Sequence, residues 1–359
     1  MKAIVVTPGQ HGTVRMDDVP DPEPAPHEVA VSVLRVGLCG TDAEIADGLF
    51  GEAPAGDRHL IIGHENVGVI EDVGRRVRGW RRGQIVVATV RRPCGRCFNC
   101  GRGENDMCTS GLFSERGIRR RHGYMAQYYA ESPAFLHRIP KALANVAVLL
   151  EPLSIVEKGI DHSFRLQRRF LWKPRTAVVL GAGPIGLLAA AVLRIRGLDA
   201  VVISREPDSD PRVRLARALG AQYLSAADRT MEDLQKEIDP IDLAVEATGV
   251  SAVAFDAMQV LGPNGVLCLL SVTSGRTKAE EPIDRINEML VLGNRVVFGS
   301  VNANARHFTM GINDMAVMEK KWPGVLERLI TTRLPWTKYG QWFGAARHGI
   351  KTTLEVGLV

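Results

Sequence analysis

This chain of 359 residues is 45% hydrophobic and 24% charged, which is typical of a globular protein with more than one domain. Its net charge of +5 is too small to indicate nucleic-acid binding, and its basic clusters lack interleaved aromatic residues, so we interpret them as solvated faces: Arg81-Arg82, Arg91-Arg92 and residues 119–121. No apolar run approaches the roughly 18 residues of a membrane span, and no signal segment is evident, so we expect a cytoplasmic protein.

Residues 1–150 carry the pattern of a β-rich domain with little helix. Short β-branched runs alternate with Gly and Pro, which favours strands joined by tight turns. The predicted strands span residues 29–36, 67–73 and 84–90.

Two segments near these strands contain metal-ligating residue types. Cys39 is followed by Thr41 and Asp42, and His64 is followed by Glu65. A thiolate and an imidazole are ligands that Zn²⁺ accepts, and carboxylates lie beside both. An isolated Cys and His are more often a buried thiol and a hydrogen-bonded core imidazole, so this pair needs support from the rest of the chain.

Four of the six cysteines fall within fifteen residues, at positions Cys94, Cys97, Cys100 and Cys108. Short Cys-x-x-Cys steps let successive thiolates converge on one ion, and four of them leave no open position. The pattern predicts a structural zinc ion, with an iron–sulfur cluster or paired disulfides as the alternatives. Without a secretion signal, metal ligation in a reducing compartment is favoured over disulfides.

A predicted helix over residues 149–164 begins with Glu151-Pro152. Proline suits the first helical turn. Glu151 either points its carboxylate into a cleft or complements the helix dipole, and taken alone the second interpretation is the simpler one.

An apolar run ending at Leu180 is followed by three glycines, Gly181, Gly183 and Gly186, that enclose Pro184 and Ile185. This spacing between a strand and a helix is the dinucleotide-binding fingerprint. Alternating predicted strands and helices then indicate a doubly wound parallel sheet, over residues 201–204, 212–219, 241–246, 252–261, 266–270 and 295–299.

The end of the second strand of this sheet indicates which cofactor binds. An acid there accepts the ribose 2′-hydroxyl of NAD, whereas cations and hydroxyls suit the 2′-phosphate of NADP. The strand ends at Ser204-Arg205, and the first acid is Glu206. We therefore favour NADP, with NAD possible, although Arg205 would also suit stacking on adenine.

The last part of the chain predicts helices over residues 306–321, 325–331 and 339–347, followed by a strand over 352–356. We expect this part to return to the first domain.

These segments together resemble the zinc-dependent medium-chain dehydrogenase/reductase family. The motifs appear in the family's order: Gly37-Leu38-Cys39-Gly40-Thr41-Asp42, Gly63-His64-Glu65 with Gly68, the four clustered cysteines, and Gly181 to Gly186. A narrower resemblance to the glucose 1-dehydrogenase branch rests on Val90-Arg91-Arg92-Pro93-Cys94-Gly95, on Glu151-Pro152 continuing to Glu157-Lys158, and on Gly299 continuing through Asn302 to His307-Phe308.

The resemblance implies an α/β protein with a GroES-like β-rich catalytic domain and a Rossmann doubly wound parallel-sheet domain. The catalytic domain would span residues 1–160, with a structural-zinc lobe at 94–108, and would be completed by residues 305–359. The NADP-binding domain would span residues 161–304. Each chain would hold two zinc ions, one catalytic and one structural.

The resemblance also implies residue roles. Cys39, His64 and Glu151 would hold the catalytic zinc, with Glu65 as an alternating ligand or a neighbouring carboxylate. Thr41 would bind substrate and pass on its proton, and Asp42 would orient His64. Glu115, Glu151 and Asn302 would contact sugar hydroxyls. The nicotinamide would be lined by Leu270, Ser271, Val272, Ser300, Val301 and Asn302.

The activity implied is zinc-dependent oxidation of D-glucose or a close epimer at C1 to the lactone, with hydride transfer to NADP⁺. The alternative within the family is a polyol, aminocyclitol or alcohol dehydrogenase. A non-catalytic NADP-binding zinc protein is the alternative from another class. Relatives of this kind are homodimers or homotetramers that act on small molecules, so neither nucleic acid nor membrane is expected as a partner.

Overall fold

The computed structural model describes residues 1–272, 278, 282–344 and 349–357. The chain falls into two compact units. One comprises Met1–Ser154, Asn302–Met315 and Ile330–Val359, and the other comprises Ile155–Val301 and Ala316–Leu329. Among the described residues no helix has the length and apolarity that crossing a membrane requires.

The described elements are named in chain order. The strands are β1 (Lys2–Val6), β2 (Arg15–Asp18), β3 (Val29–Leu38), β4 (Leu60–Ile61), β5 (Glu65–Val73), β6 (Ile85–Ala88), β7 (Arg91–Arg92), β8 (Ser114–Arg116), β9 (Arg120–Arg121), β10 (Tyr128–Glu131), β11 (Leu136–Arg138), β12 (Thr176–Leu180), β13 (Asp199–Ser204), β14 (Gln222–Ser225), β15 (Ile241–Glu246), β16 (Leu261–Leu269), β17 (Val296–Gly299), β18 (Ile330–Pro335) and β19 (Lys351–Glu355). The helices are α1 (Gly40–Ala46), α2 (Phe98–Gly101), α3 (Leu150–Leu166), α4 (Pro184–Ile195), α5 (Pro211–Ala218), α6 (Met231–Gln235), α7 (Ser251–Val260), α8 (Ile283–Leu292), α9 (Ala305–Lys321), α10 (Val325–Leu329) and α11 (Gly340–Phe343).

The first unit is built around β3. Its main sheet has the order β11-β6-β5-β3-β19-β18, with β10 also paired to β3. Alternate residues of β3, including Val29, Val31 and Val33, are fully buried in the core. Smaller sheets, β2-β1-β4 and β7-β8-β9, complete the unit. This is the β-rich domain that the sequence predicts.

Antiparallel pairing brings distant residues to one end of β3. Gly37 on β3 lies opposite Glu65 at the start of β5 and opposite Thr353 of β19. Cys39 follows β3 directly, and His64 precedes β5 directly. Because β5 and β19 are both antiparallel to β3, the first residues of β5 and β19 lie beside the last residues of β3.

The second unit contains a parallel sheet with the order β14-β13-β12-β15-β16-β17. When β12 is counted as the first strand of this unit, the order is 3-2-1-4-5-6, which is the strand order of the dinucleotide-binding doubly wound fold. The strands are buried apolar runs, as expected where helices pack on both faces of a parallel sheet. The predicted α/β fold class is therefore confirmed.

Most predicted elements form with ends that differ by one to three residues, but the end of the chain differs more. The helix predicted over 325–331 ends at Leu329, and Ile330–Pro335 is strand β18. The β-branched Thr331 and Thr332 favour an extended backbone, and β18 pairs in parallel with β19. Of the helix predicted over 339–347, only Gly340–Phe343 is observed, and residues 345–347 lie outside the described part.

The prediction that Arg91 and Arg92 form a solvated face is wrong, because both side chains are buried. Arg92 donates to Oε2 of Glu131, and Arg116 donates to the same oxygen at 2.8 and 3.0 Å. A charged group is stable inside a protein only when paired and hydrogen-bonded, and Glu131 supplies this pairing from β10. The local sequence shows the two adjacent arginines, but it does not show that Glu131, 39 residues after Arg92, pairs with Arg92.

The buried cluster of Arg92, Arg116 and Glu131 should make the free energy of unfolding depend on pH. Burial by itself would raise the pKa of Glu131, but Arg92 and Arg116 outweigh it and lower the pKa from 4.5 to about 2. A carboxylate with a depressed folded-state pKa stabilises the fold above its unfolded pKa, and this contribution is lost as the pH falls from about 4.5 to about 2. We expect the loss to be on the order of 3 kcal/mol.

Urea unfolding of the wild type and of Glu131→Gln at pH 7, 4.5 and 3 measures this contribution. The stability gap between the two proteins should be largest at pH 7 and should narrow as the pH falls. The exposed Glu71, which pairs with Arg82 on the surface, provides the control, since Glu71→Gln should cost little at any pH. A gap for Glu131→Gln that stays constant with pH would contradict the assignment.

Candidate active site

Cys39 stands at the junction of β3 and α1, where it caps the helix. Its backbone N–H donates to Oδ2 of Asp42 at 2.9 Å, which satisfies an amide that the helix leaves without a partner. This bond fixes the turn that carries the Cys39 sulfur. Thr41 lies in the same first turn and is half-buried.

His64 reaches the same point from the start of β5. Its Nε2 lies 3.2 Å from Sγ of Cys39, and its Nδ1 lies 3.5 Å from Oδ1 of Asp42. Asp42 therefore contacts the backbone of Cys39 and the imidazole of His64, a position from which it could orient the His64 ring. Burial lowers the pKa of His64, but the negative forms of Cys39 and Asp42 outweigh this effect and raise it well above 6.5.

Glu65 is buried beside them. Its Oε1 accepts a hydrogen bond from Nζ of Lys351 at 2.5 Å, and both side chains are only 2% exposed. Its Oε2 is buried without a hydrogen-bond partner among the described residues. Gly37 makes room for it, since a Cβ at that position would lie 2.1 Å from Oε2.

These residues fit a metal ion. Ligand atoms of Cys39, His64 and Glu65 lie within 4.8 Å of one another. A sulfur, an imidazole nitrogen and an unsatisfied carboxylate oxygen form a donor set that suits Zn²⁺. Glu151 lies in the first turn of α3, outside this group of three, and its side chain is buried. Burial and then the nearby Glu65 raise the pKa of Glu151 to about 7, against the opposing effect of His64.

The four clustered cysteines converge in what we call the cysteine lobe, residues 94–108. Their sulfurs lie within 4.8 Å of one another. None of the four is joined to another cysteine by a disulfide in this structure. Four sulfurs at one point fit a structural ion with a closed coordination shell.

Two of the residues assigned to sugar binding, Glu115 and Asn302, come from distant parts of the chain and are in contact. Asn302 donates from Nδ2 to Oε1 of Glu115 at 2.8 Å, and its own Oδ1 accepts from the backbone N–H of Ala303. Asn302 has a positive φ of 62°, which asparagine tolerates better than most residues. Arg91 also donates to Glu115, at 2.9 and 3.0 Å.

The glycine turn after β12 fits a dinucleotide. Gly181 has a φ of 104°, and a Cβ on Gly186 would lie 1.9 Å from the Gly181 carbonyl oxygen, so both positions require glycine. A Cβ on Gly183 would meet open space. Pro184 and Ile185 begin α4, whose N-terminus suits a pyrophosphate.

A cavity of about 670 Å³ adjoins this turn and is lined by Ser204 and Arg205 as well as by Gly181 and Gly183. Glu206 also lines it, but its carboxylate is bound by Arg212. Arg205 is exposed and has no hydrogen-bond or ion-pair partner among the described residues. The Arg205 guanidinium is available to a ligand, whereas the Glu206 carboxylate is already paired with Arg212. This arrangement suits a 2′-phosphate better than a 2′-hydroxyl.

The segments assigned to the nicotinamide follow β16 and β17. Leu270 and Ser271 come directly after β16, and the Ser271 hydroxyl donates to Glu246. Val272 and Val301 are apolar yet 73% and 57% exposed. Ser300 precedes Val301, whose carbonyl accepts from Lys158 at 2.9 Å.

Sequence reasoning did not assign a role in the site to Lys351 or Arg91. Lys351 carries no local signal, because it lies far from Glu65 along the chain and is the first residue of an ordinary strand, β19. Arg91 stands three residues before Cys94, and its place in the motif was the only available clue.

Two family descriptions match the chain. "Alcohol dehydrogenase GroES-like domain" matches residues 25–141, and "Glucose dehydrogenase C-terminus" matches residues 144–356. A Methanocella arvoryzae protein named glucose 1-dehydrogenase is 44% identical over 358 residues, which cover 99% of this chain and 100% of that protein. A Caldivirga maquilingensis protein named glucose 1-dehydrogenase 1 is 40% identical over 363 residues, 99% of each chain.

A solved structure of a glucose dehydrogenase is also similar to this chain. Haloferax mediterranei glucose dehydrogenase, described in complex with NADP, Zn and gluconolactone, superposes with a TM-score of 0.92 at 35% identity and covers 100% of both chains. The matches extend over the glycine turn, the cysteine lobe and the Cys39 cluster alike. This chain therefore belongs to the zinc-dependent medium-chain dehydrogenase/reductase family, in its glucose 1-dehydrogenase branch.

Proposed function

We propose that this protein oxidises D-glucose, or a close epimer, at C1 to the lactone and transfers the hydride to NADP⁺. The observation that carries the proposal is the convergence of Cys39, His64 and Glu65 on one point, with atoms within 4.8 Å. Relatives of the chain carry the name glucose 1-dehydrogenase, and the Haloferax structure is described with gluconolactone.

When bound, zinc supplies a Lewis acid that favours loss of the C1 hydroxyl proton, and NADP⁺ supplies the hydride acceptor. Cys39, His64 and Glu151 would hold the zinc, with Glu65 as an alternating or neighbouring carboxylate. Asp42 would keep His64 oriented through its 3.5 Å contact. The Thr41 hydroxyl would accept the substrate proton and pass it toward solvent, so that lactone, NADPH and one proton leave.

Sugar recognition would rest on Glu115 and Asn302. Oε1 of Glu115 already accepts bonds from Arg91 and Asn302, which leaves Oε2 to accept from a sugar hydroxyl. Asn302 uses Oδ1 and one hydrogen of Nδ2 within the protein, and the second hydrogen remains for the sugar. Hydrogen bonds of this kind discriminate strongly between substrates that have or lack the matching hydroxyl.

Initial rates of NADPH formation across aldoses, polyols, aminocyclitols and simple alcohols test the proposal. We expect glucose or one of its epimers to be oxidised fastest, and turnover to fall when a chelator removes the metal. If a polyol or an alcohol were oxidised faster than any aldose, that compound and not glucose would be the substrate. No turnover of any of them, with NADP still bound, would favour a non-catalytic binding protein.

NADP preference would come from Arg205 and Ser204. We expect Arg205→Ala to raise the KM for NADP⁺ by about 10- to 100-fold, because a charge-assisted bond to the 2′-phosphate is lost. The KM for NAD⁺ should change less than about twofold. Steady-state kinetics with both cofactors measure the difference.

Arg217→Ala is the matched control for Arg205→Ala, because Arg217 is a surface arginine of α5 that pairs with Asp208. It should leave both cofactors unaffected. Equal losses for NADP⁺ and NAD⁺ in Arg205→Ala would show that Arg205 stacks on adenine or acts elsewhere.

Four cysteines grouped as metal ligands would suit a reducing compartment such as the cytoplasm. The homodimer or homotetramer rests on the family resemblance alone. Light scattering after gel filtration would give the number of chains, and a monomer would contradict this part of the proposal.

A further inference from the structure

Arg91 connects the cysteine lobe to the carboxylate proposed to bind sugar. Its Nε and Nη2 both donate to Oε1 of Glu115, while its Nη1 donates to the backbone carbonyl of Asp106 at 2.8 Å. Asp106 lies inside the lobe, between Cys100 and Cys108. The guanidinium also stacks on Phe113, 3.9 Å from the ring centroid. Each of the three nitrogens of this buried arginine thus donates a hydrogen bond.

A second contact joins the lobe to the other half of the proposed sugar site. Oε2 of Glu104, also inside the lobe, accepts from Nδ2 of Asn304 at 2.8 Å. Asn304 follows Asn302 by two residues, and its Oδ1 accepts from the backbone of Arg306. The lobe therefore holds Glu115 through one contact and the segment that carries Asn302 through another.

We propose that Arg91 is a positioning residue for sugar recognition, and that through Arg91 and Glu104 the cysteine lobe sets the affinity for the substrate. This inference rests on the proposed roles of Glu115 and Asn302. The lobe then does more than hold a structural ion. Its backbone anchors Glu115 through Arg91, and its Glu104 anchors the segment that carries Asn302.

The physical reason is preorganisation. An unsupported glutamate samples several rotamers, and binding a sugar then costs the entropy of selecting one. In this site three N–H donors on Oε1 hold the Glu115 side chain in one position. Lysine cannot replace Arg91, because an ammonium lacks the planar fork that reaches Glu115 and the Asp106 carbonyl together.

The test compares Arg91→Lys with wild-type enzyme under steady-state conditions. We expect the KM for glucose to rise about tenfold, while kcat stays within roughly threefold, because an interaction that is equal in ground and transition states affects KM. Binding of NADPH, followed by its own fluorescence, should be unchanged. In a Glu115→Gln background the same substitution should add little, since the group that Arg91 positions is already altered.

Glu104→Ala tests the second contact, between Glu104 and Asn304. Because Glu104 is only half-buried, this variant should fold even if Arg91→Lys does not. It should raise the KM for glucose about threefold and leave NADP binding unchanged. Arg119→Lys is the matched control, because Arg119 also stacks on Phe113 but pairs with Glu52. It should change neither constant.

The outcomes separate the inference from the proposed function. A wild-type enzyme that oxidises no aldose would overturn the proposed function, and this inference with it. A wild-type enzyme that oxidises glucose, together with an unchanged KM in Arg91→Lys and in Glu104→Ala, would overturn the inference alone. A fall in kcat at constant KM would also overturn it, because the lobe would then act on the chemical step.

Discussion

Cys39→Ala should reduce kcat/KM for glucose by at least about 1,000-fold, because loss of a metal ligand removes several kcal/mol of transition-state stabilisation. The substitution should also release the catalytic zinc while the ion of the cysteine lobe stays bound. Metal analysis of the purified variant, together with initial rates, measures both effects. Binding of NADP should persist, since the glycine turn lies in the other unit.

Cys268→Ala is the control for the loss of a thiol. Cys268 is fully buried on β16 and belongs to neither group of metal-binding residues. It should retain its zinc content and most of its activity. Undiminished turnover in Cys39→Ala, or an unchanged zinc content, would refute the proposed catalytic site.

Lys351→Met should lower the free energy of unfolding by about 3–5 kcal/mol, because it leaves the buried Glu65 carboxylate without its partner. Removing one member of a buried ion pair costs more than removing both. The double variant Lys351→Met/Glu65→Gln should therefore recover much of the lost stability. Urea and thermal unfolding of the chelated proteins, in which no metal compensates for the lost lysine, measure the difference.

Activity separates the structural part of this effect from the catalytic one. The double variant should regain stability without regaining full turnover if Glu65 acts on the metal site. A single variant within about 1 kcal/mol of the wild type would show that the Lys351–Glu65 contact contributes little. The same conclusion would follow if the double variant were no more stable than the single one.

Local patterns predicted a large part of this molecule. The glycine turn at Gly181–Gly186 depends on neighbours within six residues, so its backbone demands are readable from sequence. The cysteine lobe is similarly local, since short Cys-x-x-Cys steps constrain one loop. The parallel sheet followed from alternating apolar strands and helices, and the structure confirms it. The residue roles around Cys39 and Glu115 remain predictions that the experiments above test.

The sequence by itself determined the fold class, the family, the glycine turn and the cysteine lobe, because each depends on residue types at short, regular spacing. Only the tertiary structure decided that Lys351 faces Glu65, 286 residues away, and that Asn302 faces Glu115, 187 residues away. It also showed that Arg91 and Arg92 are buried instead of solvated. Such contacts are set by which strands pair and in what register, and a charged residue shows no local sign of the distant partner that allows its burial.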